Sequence, residues 1–111
     1  MKQPLSVNEA LDDLAQIAGQ DVIVTGILEL EHECVALRHH SKAELRGEYE
    51  SSIWLYADGG RLGFDRQPCE RLAGKLVILS GTLLGPDARF GGCGHMSLWP
   101  AQMLVHTMER A

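Results

Sequence analysis

At 111 residues the chain fits one domain with a real core, 1–111, and leaves no room for a second. A hydrophobic fraction of 45 % beside 23 % charged residues excludes wholesale disorder. Ten Lys and Arg against fifteen Asp and Glu leave a formal charge of −5, which repels a phosphate backbone unless basic residues gather locally.

The amino-terminal segment predicts a helix from about Val7 to Ala18. Ser6 and Glu9 stand at capping-box spacing, Leu11, Leu14, Ile17 and Ala18 fall on one face, and Gly19 supplies a stop. The run Asp21 to Glu33 is long for a strand. Its first half is apolar on both parities, whereas its second half carries Glu29, Glu31 and Glu33 on one. Gly26 sits near that change, where glycine marks a bend or a close backbone approach. Cys34 to His39 reads as a second strand. "SKAELRGEYE" follows as a short helical excursion with Ser41 and Glu44 again at capping-box spacing, and "SSIWLYADGG" is a third strand ending in a glycine turn. In that strand Trp54 and Tyr56 share one face and Ile53, Leu55 and Ala57 the other, and one of the two faces is core. A short helix from about Pro68 to Ala73 precedes a fourth strand, Lys75 to Leu84. The turn-rich "GPDARFGGCGHMSLWP" leads to a last strand, Ala101 to Met108.

One phrase occurs twice. Ala18-Gly19 is followed by a strand-like run and then Thr25-Gly26, and Ala73-Gly74 by a similar run and then Ser80-Gly81, at the same spacing. Two helix-to-strand entries into one barrel explain the repetition. The order of helix, three strands, short helix and two strands, with glycine-bent first and fourth strands, resembles the OB-fold superfamily. The expected fold is therefore mainly β: a five-stranded OB-fold-like Greek-key barrel with an N-terminal helix and a short helix between strands 3 and 4. Another small barrel, or an α+β sheet with two helices on one face, is the rival.

The conceivable metal ligands are His32 with Cys34, Cys93 with His95, and the adjacent His39 and His40. None of these has the spacing of a zinc knuckle or ribbon, and no metal or other cofactor is expected. Nucleophile elbow, HExxH and P-loop motifs are all absent, and "GGCGHM" offers Cys93 and His95 without an orienting third group, so the chain is not expected to be an enzyme. The glycines of "FGGCGH" open onto a strand-like segment, not onto a helix whose free N–H groups cradle a phosphate.

Two binding surfaces remain. The OB-fold resemblance implies single-stranded nucleic acid across the barrel face around Trp54 and Tyr56, with Arg38 and Lys42 as nearby cations. Against it stand the net charge, the scarcity of rings and the interleaving of the central basic residues with acidic ones. The acidic end of the first strand, Glu29, Glu31 and Glu33, places like charges on one face, and such a surface attracts a basic partner. The leading expectation is a non-catalytic binding module that recognises or neutralises a protein partner through that acidic surface, with nucleic-acid binding as the alternative. Three cysteines, Cys34, Cys69 and Cys93, with no CxxC pair or disulfide framework fit a reducing compartment. With no apolar run of membrane-spanning length, the expected location is the cytoplasm, without membrane association.

Overall fold

The structure, a computed structural model, describes residues 3–31, 34–47, 49–57, 70–86, 92–93 and 98–111. Its elements in chain order are β1 (Leu5–Ser6), α1 (Val7–Asp12), α2 (Leu14–Ile17), β2 (Asp21–Glu31), β3 (Cys34–Arg38), a 3-10 turn (Lys42–Glu44), β4 (Ser52–Ala57), β5 (Leu76–Leu84) and β6 (Gln102–Arg110). Five of the strands close on themselves. β2 pairs with β3, β3 with β4, β4 with β6, β6 with β5, and β5 returns to β2. Only the β4–β6 pairing within this ring is parallel. The mainly β, closed five-stranded barrel expected from the sequence is what forms, with two-residue β1 lying parallel to β2 outside the ring.

Closure depends on β2 serving two neighbours in succession. Residues Asp21 to Ile27 pair with β5, and Ile27 to Glu31 pair with β3. Gly26 lies at the hand-over, where a side chain is crowded: a Cβ there would stand 2.6 Å from the Arg38 carbonyl oxygen and 2.9 Å from Leu37 Cγ, so its neighbours would have to shift. Gly81 lies at a register shift in the β5–β6 pairing, and a Cβ there would run into the Leu104 carbonyl oxygen.

The repeated phrase becomes a local two-fold relation between β2 and β5. Gly19 and Gly74 take the left-handed φ values of 85° and 79° that end a helical turn. Each then donates its N–H across the ladder, Gly19 to Leu83 O at 2.6 Å and Gly74 to Leu28 O at 2.7 Å. The next residues close the exchange, with Leu83 N–H donating to Gln20 O and Leu28 N–H to Lys75 O. Val24 and Leu79, equivalent positions of the two copies, pair directly at the centre and are fully buried.

Alternation along the strands fills the interior with Val22, Val24, Leu28, Val35, Leu37, Ile53, Leu55, Val77, Leu79, Leu83, Met103 and Val105. One end is stoppered by α1, whose Val7 and Ala10 are fully buried. Ser6 and Glu9 form the expected capping box: Ser6 Oγ accepts the Glu9 N–H and Glu9 Oε1 the Ser6 N–H.

Several expectations need correction in detail. The first helix is not continuous, because Asp13 leaves helical geometry at ψ 7° and divides α1 from α2, and Leu11, Leu14 and Ile17 then follow the rim of the core. β3 ends at Arg38, since His39 donates its N–H to Ser51 O. Ser41 makes no side-chain cap, so the Lys42–Glu44 segment is one 3-10 turn. β6 runs on to Arg110. Residues 70–72 are helical, Ala73 already belongs to the turn that follows, and Pro68 and Cys69 of the expected helix between strands 3 and 4 lie outside the described residues. Among the described residues, no helix is long and apolar enough to cross a membrane.

Candidate functional site

The outside of the barrel over β2, β3 and β4 carries the residues that the sequence marks as candidates. One cross-strand row there runs Glu29, Ala36, Trp54 and Gln102, set by the pairings Glu29↔Ala36, Ala36↔Trp54 and Trp54↔Gln102. The side chain of Glu29 is 49 % exposed, and Arg38, diagonal to it on β3, brings its Nε within 3.5 Å of Glu29 Oε2. The acidic end of β2 is thus partly neutralised from within, and Arg38 is further engaged by its own Nη1 donating to His39 O. The Glu31 side chain and the whole of Glu33 lie outside the described residues.

Trp54 and Tyr56 do share the outer face, away from the barrel interior, but Trp54 is not a bare platform. It is only 7 % exposed, because Trp99, itself 8 % exposed, lies edge-on against it with ring centroids 4.8 Å apart at 61°. Tyr49 meets Trp99 in the same edge-to-face manner at 4.8 Å, and Tyr56 stands 6.2 Å from Trp54. Ala36 and Cys93 complete this second apolar cluster outside the barrel. Neither of the orientations open from the sequence is what forms for Trp54: its ring faces outward and is covered by Trp99, while Tyr56 beside it stays partly exposed. Lys42 is exposed, but it sits on the 3-10 turn beside Glu44 and not on this sheet face.

The electrostatics of the cluster follow from its dryness. Burial pushes the Cys93 thiol above its ordinary range, which keeps it protonated and weakly nucleophilic. Burial also raises the Tyr56 phenol, with Cys93 adding to the rise and the neighbouring Trp54 indole acting the other way. Trp99 Nε1 donates to Ser52 Oγ at 3.0 Å, whereas the buried Trp54 Nε1 makes no hydrogen bond of good geometry.

A second polar constellation joins the β3–β4 connection to α1. His39 is 2 % exposed, and its Nδ1 accepts the Asn8 backbone N–H at 3.2 Å. The ring proton therefore belongs on Nε2, which faces Glu44 Oε1 at 3.7 Å. Asn8 Nδ2 donates to Glu44 O, and Arg46 clasps Asp12 with bonds of 2.7 and 3.0 Å. His39, His40 and Glu44 offer three ligand atoms within 4.8 Å of one another. A metal on His39 Nε2 needs that nitrogen's lone pair, which moves the proton to Nδ1 and sets it against the Asn8 N–H. The donor set fits a clip between loop and helix better than a metal centre. Of the other candidate zinc ligands, His32, His95 and the Cys34 side chain fall outside the described residues.

On the opposite side of the barrel Thr82 Oγ1 donates to Asp21 Oδ1 at 2.7 Å, and His106 Nε2 lies 3.4 Å from that hydroxyl and 3.8 Å from that carboxylate. Hydroxyl, imidazole and carboxylate meet at one ring nitrogen, so the acid does not orient the base toward the hydroxyl as a nucleophilic relay requires.

Sequence reasoning missed Trp99, Tyr49 and the Asn8–His39 clip. The available signals were a tryptophan directly before Pro100 in a turn-rich segment and an asparagine one residue into an amphipathic helix.

No protein-family model matches the chain, and no curated protein matches it. Solved structures do. A protein assigned as an aspartyl-tRNA synthetase from Leishmania major superposes with a TM-score of 0.55 at 10 % identity over 98 % of this chain, which spans only 20 % of that protein. A DUF3299 family protein from Pseudomonas aeruginosa PAO1 superposes with a TM-score of 0.55 at 9 % identity, covering 100 % of this chain and 97 % of that one. An OBody bound to hen egg-white lysozyme gives a TM-score of 0.51 at 13 % identity, with coverages of 86 % and 89 %. At these identities the likeness is one of fold alone.

Proposed function

We propose that the barrel is an OB-fold and serves as a non-catalytic binding module for a protein partner in the cytoplasm, with Glu29, Glu31 and Glu33 forming the acidic contact. One observation carries this reading. Trp54, the ring a nucleic-acid platform needs, is buried under Trp99, while the neighbouring Glu29 is half-exposed in the same cross-strand row. A net charge of −5 and the engagement of Arg38 by Glu29 leave this face with little attraction for phosphate. Exposed carboxylates act chiefly by steering encounter, so a basic protein surface is the complementary partner.

The test is photo-crosslinking from position 29 to identify the partner, followed by stopped-flow association with the purified pair. Reversing Glu29, Glu31 and Glu33 to lysine is expected to leave the far-UV circular dichroism intact and to slow association by about tenfold at low salt. A triple variant that associates at the wild-type rate refutes the acidic contact. Submicromolar, salt-sensitive binding of a single-stranded oligonucleotide that Trp54→Ala abolishes establishes the nucleic-acid reading instead.

A further inference from the structure

With Val22, Val24, Leu28, Val77, Leu79 and Leu83 turned into the core, the alternate residues of β2 and β5 point outward. From Asp21 to Ile27 on β2 and from Leu76 to Leu84 on β5 those outward positions hold aliphatic and hydroxyl side chains, and Asp21 is their one charge. The chain as a whole is 23 % charged, and a local depletion of charge marks the middle of an interface. Ile23, Ile27 and Ile78 are only partly buried, Leu76 is 42 % exposed, and none of the four belongs to either apolar cluster.

The hydroxyls of this face are already bonded within it. Thr25 Oγ1 donates to Val77 O at 3.0 Å, Thr82 Oγ1 donates to Asp21 Oδ1 at 2.7 Å, and the Ser80 and Thr107 hydroxyls meet at 2.6 Å. Covering the face strands none of these bonds, so the usual cost of burying polar groups is small.

The local two-fold relation of β2 and β5 makes the face match itself. Ile23 pairs with Ser80 and Thr25 with Ile78, so aliphatic and hydroxyl change places across the centre of the ladder. Its ends carry opposite charges: Asp21 is exposed at one, and Lys75 is exposed beside Leu76 at the other, where Glu109 and Arg110 of β6 offset each other. A second copy turned end over end sets Asp21 of each chain against Lys75 of the other, with the aliphatic residues between them. Elsewhere two chains of charge −5 repel.

We propose that the outer face of the β2–β5 ladder is the isologous interface of a homodimer, with Ile23 and Ile78 at its centre and Ile27 and Leu76 toward its rim. An uncharged middle gives a basic or an acidic protein nothing to steer toward, whereas a second copy meets its own pattern with both end charges paired. The pairing uses neither Glu29 nor Trp54 and stands apart from the acidic contact.

Sedimentation velocity and NMR of the wild-type protein test it. The chain is expected to run as a dimer at about 1 mM and as a monomer at about 1 µM, by mass action. In a mixture of isotope-labelled and unlabelled chains, filtered NOEs between copies are expected from the methyls of Ile23, Ile78 and Leu76. Leu76→Lys, a change at an exposed position, is expected to keep the far-UV circular dichroism and to weaken the dimer at least about tenfold, because it buries a charge at an apolar contact. A wild type that stays monomeric at about 1 mM overturns the proposal. So do NOEs between copies that involve none of these methyls, and so does a dimer of unchanged strength in folded Leu76→Lys.

Discussion

Replacing Gly81 by alanine is the sharpest test of the barrel's construction. The added methyl meets the Leu104 carbonyl oxygen first, with Leu104 C and Val105 Cα both at 3.0 Å, and all three are backbone atoms of the neighbouring strand. Backbone held in a ladder cannot rotate away as a side chain can, so β6 has to shift, and overpacking of this kind costs up to about 3 kcal/mol. At about 2.1 cal/mol/K per residue the unfolding entropy of 111 residues is about 0.23 kcal/mol/K, so each kcal/mol lowers Tm by about 4 °C. Gly81→Ala should therefore melt below wild type by several degrees, up to about 12 °C. Gly26→Ala meets one backbone oxygen and two side-chain atoms that can yield, and should fall by less. Gly19→Ala and Gly74→Ala find nothing within 4 Å but must hold a left-handed backbone, at about 1–2 kcal/mol each. Gly85→Ala has open space at an ordinary backbone angle and is the control. Calorimetry of the five variants is the assay. If Gly81→Ala melts with Gly85→Ala, backbone crowding does not set the bend and cannot be what requires glycine where the barrel closes.

Other outcomes follow from the same geometry. His39→Leu leaves the buried Asn8 N–H without its acceptor and should cost about 1–3 kcal/mol by denaturant titration. Zinc should not raise the Tm of the wild type, and a rise that His39→Leu removes would mean that the imidazole binds metal after all. Asp12 is held below its ordinary value of 3.8 first by hydrogen bonds from Arg46, so its contribution is present above that pH and lost as pH falls through the folded value. Asp12→Asn should accordingly melt below wild type at pH 7 and by a shrinking margin as the pH is taken below 3.8, and an offset that does not change with pH would refute the pairing. In a chain with Cys34 and Cys69 changed to serine, the buried and protonated Cys93 should resist iodoacetamide at pH 7.5 until denaturant is added, whereas complete labelling within minutes would show an open, ionised thiol.

Local patterns in the sequence were enough to specify the five barrel strands and their order. The Ser6–Glu9 box, the stops at Gly19 and Gly74, the mid-strand Gly26 and Gly81 and the two faces of β4 are all short-range signals, read within a few residues and realised as read. The repeated phrase even carried the β2–β5 relation, because two similar helix-to-strand entries at the same spacing have matching donors to exchange. Alternation in β4 placed Trp54 and Tyr56 on one face but could not say what lay on it. Their cover comes from Trp99, 45 residues further along the chain by number (99 − 54), and the clip on α1 joins Asn8 to His39 and Glu44 in the same long-range way. Contacts of that kind have no period and no spacing rule. They exist only once the barrel has closed and brought the β5–β6 connection over β4 and the β3–β4 connection under α1, which is why the tertiary structure alone decided that the aromatic face is covered.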